Sequence, residues 1–131
     1  MATQTAVKGE GIRPSPSKGL CSAVGPETLF FLRGETGKDP ETAKIVAPDV
    51  KGQTRQILSN ITTVLKAAGG SLNDIVSATV FLKDIGDFKD FNEVWAEFFQ
   101  EADPGPARTT VEVSGLGGEA VVEIQSIAYM K

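Results

Sequence analysis

Residues 74–82, Asp-Ile-Val-Ser-Ala-Thr-Val-Phe-Leu, have strand composition, and both of their alternating sets of side chains are largely apolar. Successive side chains of a strand point to opposite faces, so a strand of this kind is covered on both sides. The segments around it change period. Val50, Thr54, Ile57, Ile61, Val64 and Ala68 recur at helical spacing, with Pro48 at the start and Gly69-Gly70 at the end, which predicts a helix over 48–68. A second helix is predicted from Asp87 as its cap. Phe88, Phe91, Val94, Trp95, Phe98 and Phe99 form a broad stripe on it, expected to be core, and it ends before Asp103-Pro104-Gly105-Pro106. A chain of 131 residues makes one domain, and two helices cover one face of its sheet. The other face of 74–82 is therefore expected to meet another subunit.

Further strands are predicted at 20–24, 28–32, 107–113 and 120–130, while Ile45-Val46 fits either a brief strand or a loop. Residues 1–18, polar and rich in Gly, Pro and Ser, read as a loosely held arm before a single domain at 19–131. The order strands, helix, strand, helix, strands gives an α+β fold: a single-layer mixed sheet with both helices packed on one face.

Composition narrows the chemistry. The net charge of -4, with no Lys/Arg cluster, argues against nucleic acid as a partner. Cys21 is the sole cysteine, so an intrachain disulfide is impossible. The absence of histidine removes the usual proton shuttle, every His-containing triad and most zinc sites. No metal and no cofactor are expected. Acid–base work falls to carboxylates, Tyr129, lysines, backbone groups or water. Neither a signal-peptide pattern nor a membrane-length apolar segment is evident, and the expected location is cytoplasmic, with no membrane partner.

The candidate site lies in the last two strands. Strand parity puts Arg108, Thr110 and Glu112 on one face, and Glu123 and Gln125 share a face opposite Val122 and Ile124. If the glycine-rich turn at 114–118 closes a symmetric hairpin, Arg108 and Glu123 become neighbours on the helix-free face. Spacing alone favours an ordinary cross-strand ion pair over a functional one.

The blocks GPARTTVEV (105–113) and VVEIQSIAY (121–129), with the run from QTRQILSN through DFKDFNEVWAEFF upstream, resemble the Rid/YjgF family of enamine/imine deaminases over residues 19–131. That resemblance implies a chorismate-mutase-like fold and a homotrimer, with three sheets lining a central barrel and ligand clefts between subunits. It implies that Arg108 binds the substrate carboxylate and that Glu123 positions or deprotonates the attacking water. Gly34 would let a ligand approach the backbone, the Thr110 carbonyl would hold the amine or water, and Asn92 would be structural first and pocket-lining second. Three positions depart from the best-known deaminases. Arg33 replaces a serine, Leu20 stands for a pocket tyrosine, and Thr110 replaces a cysteine, although RTTV also resembles deaminases of 2-aminomuconate. An inward Arg33 would suit a second acidic group on the substrate, whereas an outward one would be solvated; alternation leaves both open.

The leading expectation is hydrolytic deamination of small carboxylated enamines or imines to a keto acid and ammonia. The alternative is a non-catalytic module of the same family that binds a small carboxylate metabolite. Ribonuclease or translation-inhibiting activity fits poorly with the acidic charge and the missing histidines.

Overall fold

The computed structural model describes residues 5–12, 23–25 and 28–130. Seven strands form one sheet: β1 (Thr5–Ala6), β2 (Ala23–Gly25), β3 (Leu29–Leu32), β4 (Glu35–Thr36), β5 (Ile75–Leu82), β6 (Ala107–Glu112) and β7 (Val122–Tyr129). Two helices, α1 (Val50–Ala67) and α2 (Phe88–Phe98), complete the α+β fold. The strand order is β1-β2-β3-β7-β5-β6, with β4 also on β7, and every pairing is antiparallel except β5 with β6. Ile45 makes only an isolated bridge to Lys38.

The expected hairpin between the last two strands does not form. β5 lies between β6 and β7, parallel to the first and antiparallel to the second. The apolar β5 thus has both of its edges paired in the middle of the sheet, and the more polar ARTTVE strand takes the edge, where unpaired backbone is tolerated. α2 makes the crossover that a parallel β5–β6 pair requires.

Ala78, Val80 and Leu82 of β5, with their β7 partners Ser126, Ile124 and Val122, are buried against the helices. α1 contributes Ile57, Leu58, Ile61 and Leu65 to this core, and α2 contributes Phe91 and Val94. The opposite face stays partly open: Phe31 is 47% exposed and Val111 38%. Both helices run in the same direction, because Lys51 pairs with Glu93 (2.6 Å) and Arg55 with Glu97 (3.1 Å) in step along them. Among the described residues no helix is long and apolar enough to cross a membrane.

Local signals act much as the sequence implies, with two exceptions. Asp49 caps α1 by accepting the Gly52 N–H at 3.1 Å. Gly69, at φ +91°, ends the helix with bonds from Gly69 N–H to the Lys66 carbonyl and from Gly70 N–H to that of Leu65. Asp87, however, makes no capping bond to α2. It ends a 3₁₀ turn (Ile85–Asp87) with helical backbone angles, whereas a cap needs extended ones, and it is Asp84 that accepts the Gly86 N–H. Residues 5–12 also depart from the loose arm expected over 1–18: Thr5 and Ala6 pair with β2, and Val7 joins the core.

Candidate functional site

Arg108 is the second residue of β6 and pairs in register with Ala78, so its side chain rises on the helix side of the sheet. There α2 presents Phe88, Phe91, Asn92 and Trp95, residues that three- and four-residue spacing brings to one face. Arg108 Nη2 donates to Asn92 Oδ1 at 2.7 Å, and its Cζ lies 5.8, 5.3 and 5.0 Å from the ring centres of Phe88, Phe91 and Trp95. Ring faces attract a cation and hold the guanidinium without neutralising it. Burial pushes the Arg108 pKa down, but an arginine remains charged at any ordinary pH. Among the described residues no carboxylate pairs with it. A partly desolvated cation of this kind favours an anionic ligand, and its planar fork suits a carboxylate. The aromatic stripe of α2 is therefore both core and wall. Phe91 is fully buried, while Phe88, 38% exposed, borders the arginine; the signal in the sequence was their spacing around Asn92.

Glu123 belongs to a different place. It pairs with Thr36 of β4 and with Phe81 of β5, on the helix-free face. Between the Phe31–Ile127 and Glu35–Ile124 pairs, the β3–β4 segment advances four residues while β7 advances three. The extra residue makes a bulge at Arg33-Gly34 and brings Gly34 onto Glu123. A Cβ at Gly34 would overlap the Glu123 carboxylate and lie 3.1 Å from its Cδ. The glycine thus makes room for the glutamate carboxylate. Gly34 and Glu123 line a groove of about 510 Å³ with Thr36, Lys38, Ile45, Gly118 and Glu119 among its other residues.

The predicted residues thus fall into two groups. Arg108 and Asn92 bond directly, and Thr110 shares their face, its hydroxyl buried without a hydrogen-bond partner. Gly34 and Glu123 form the second group. The expectation that Arg108 and Glu123 are neighbours on one face is overturned: they flank β5 at Ala78 and Phe81, an odd separation that sends them to opposite faces. Arg33 is 13% exposed at its side chain and pairs with the buried Glu35 at 3.3 Å, so it is not a solvated surface arginine, nor does it line the groove. Leu20 lies outside the described residues.

The sequence matches the family described as endoribonuclease L-PSP over residues 11–130. It is 47% identical over 116 residues to a RutC family protein of Pyrococcus horikoshii, covering 88% of this chain and 90% of that one. It is 42% identical over 108 residues to the chloroplastic Reactive Intermediate Deaminase A of Arabidopsis thaliana, covering 82% of this chain and 57% of that longer one. Among solved structures, RidA from the Antarctic bacterium Psychrobacter sp. PAMC 21119 superposes with a TM-score of 0.88 at 36% identity, over 96% of this chain and 99% of that one. Escherichia coli TdcF with bound serine gives 0.89 at 31% identity, over 97% and 99%.

Proposed function

Because this chain belongs to the endoribonuclease L-PSP, or YjgF/Rid, family, we propose that it hydrolyses small carboxylated enamines and imines to a keto acid and ammonia. The observation that carries this reading is Arg108, held by Asn92 and three aromatic rings and lacking a carboxylate partner among the described residues. The name of the plant relative and the serine bound to the Escherichia coli one support the same class of ligand, a small carboxylated amine or its derivative.

In this reading the enamine tautomerises to an imine whose carboxylate sits on Arg108. Water adds its oxygen to the imine carbon as Glu123 takes a proton from it, and the C=N π pair moves to nitrogen. The proton passes to nitrogen to give a carbinolamine. Its hydroxyl proton then moves by way of Glu123 to the same nitrogen, and the C–N bond breaks so that one ammonia leaves as the carbonyl forms. Imine and water thus balance keto acid and ammonia, without a cofactor. Such imines hydrolyse unaided, so positioning and one base supply enough of the barrier reduction.

Arg108 and Glu123 stand on opposite faces of one sheet, so the reaction needs Arg108 of one chain beside Glu123 of another. A homotrimer with clefts between neighbouring subunits, acting in the cytoplasm, meets that need. The open sheet face, where Phe31 and Val111 are exposed, supports such an assembly. A non-catalytic carboxylate-binding module is the second reading. It is favoured by the same separation, since one chain alone carries an anion site without the base.

The test generates imines in situ with amino-acid oxidases and times ammonia release. Acceleration by wild type, lost in Arg108→Ala, is the expected result. A wild type that accelerates no imine removes the enzyme reading and leaves the binding module.

A further inference from the structure

Lys38 lines the same groove as Glu123. Its backbone is tied to its own segment and to α1. Its N–H donates to the Thr36 carbonyl at 2.7 Å, and its own carbonyl accepts from Asn60 Nδ2 of α1 at 2.8 Å. Asn60 is in turn held by Gln56 at 2.8 Å. Beside Lys38, Gly37 packs so closely on α1 that an added Cβ would lie 2.8 Å from the Gln53 Cα. The lysine is therefore mounted on α1 rather than carried by a free loop.

Glu119 and Glu123 share the groove, yet among the described residues no carboxylate comes within 4 Å of the Lys38 ammonium. Arg33, the other cation of this segment, pairs with Glu35 away from the groove. A neighbouring hollow of about 500 Å³ shares Ile45, Gly118 and Glu119 with the groove and reaches Lys83, so space continues beyond Glu123. Glu119 is exposed, and solvent screens its repulsion.

We propose that Lys38 binds a second carboxylate, at the end of the substrate away from the reacting carbon, and so makes dicarboxylic imines the preferred substrates. This rests on the deaminase reading above and replaces Arg33 as the source of such a preference. A charge-assisted hydrogen bond at a half-buried site corresponds to about a tenfold gain in affinity.

The test compares two keto acids of equal chain length, 2-oxoglutarate and 2-oxopentanoate, by calorimetric binding. Turnover of the imines of glutamate and norvaline, made in situ, is measured alongside. Wild type is expected to bind 2-oxoglutarate about tenfold more tightly than 2-oxopentanoate. Lys38→Gln is expected to bring that ratio close to one, and Lys38→Arg to preserve it. Equal binding of the two acids by wild type, failure of both to bind, or a ratio unchanged in Lys38→Gln would overturn the proposal. The two readings fail separately. Persistence of the binding ratio with neither imine accelerated removes the deaminase and leaves Lys38 as a binding determinant. Turnover that depends on Arg108 but not on the distal carboxylate removes Lys38 and leaves the deaminase.

Discussion

Arg108 and Glu123 flank β5 from its two edges, in register with Ala78 and Phe81, and their side chains leave the sheet on opposite faces. An active site that uses both draws them from different chains. Arg108→Ala and Glu123→Gln proteins should each be inactive alone. Co-refolded in equal amounts, they should recover roughly a quarter of wild-type activity, since random mixing joins the intact arginine and glutamate in that share of heterologous interfaces. No recovery after verified subunit mixing would mean that the site is not shared.

Gly34 gives the Glu123 carboxylate the space that a side chain would take. Gly34→Ala is expected to lower kcat/KM for imine hydrolysis by more than about tenfold while costing less than about 1–3 kcal/mol in folding, because the displaced atoms end a flexible side chain. Parallel kinetics and thermal unfolding check this. Equal losses of activity and fold would assign the glycine a structural role only.

Asn92 offers Arg108 a neutral acceptor at 2.7 Å. Asn92→Ala should raise KM by about tenfold to a hundredfold, the equivalent of roughly 1.5–3 kcal/mol for a lost hydrogen bond to a charged group. Asn92→Asp should weaken substrate binding further, although it is closer in shape, because an internal carboxylate would compete with the substrate's for the guanidinium. An Asp variant that binds keto acids better than the Ala variant would contradict this account.

Burial, and after it the nearby charges of Asp84 and Asp90, raises the Asp87 pKa above its ordinary value. The folded state then holds its proton more tightly than the unfolded chain does. Asp87 therefore favours folding least at neutral pH, and its contribution falls as pH rises from the unfolded pKa through the folded one. Asp87→Asn should be more stable than wild type at pH 7, with the difference fading toward pH 3. Urea midpoints across that range measure it.

Both helices were legible in the sequence because their signals are local, whereas the Arg108–Asn92 neighbourhood was not, since Arg108 was expected on the helix-free face. Val50 to Ala68 repeat at helical spacing, and Asn92 sits within the aromatic stripe that holds the arginine. Strand pairing was not legible. Alternation sorts the side chains of one strand into two faces, but it does not say which strand lies alongside, and β6 passes over adjacent β7 to join β5. The orientation of Arg33 was hidden for a related reason. The bulge at Arg33-Gly34 resets alternation between Leu32 and Glu35, both buried though an odd number of residues apart. Asp87 has the composition of a cap, but the short turn before it sets the wrong backbone angles.

The contact between Gly34 and Glu123 also orders the mutations by which descendants of this chain can change. A lineage that first shortens the glutamate frees room at position 34, and many side chains then become neutral there. One that first enlarges the glycine displaces a carboxylate that is still present and passes through an impaired ancestor. Homologues without the glutamate should therefore vary at this glycine, whereas those that retain it should keep glycine even where the rest of the segment has drifted.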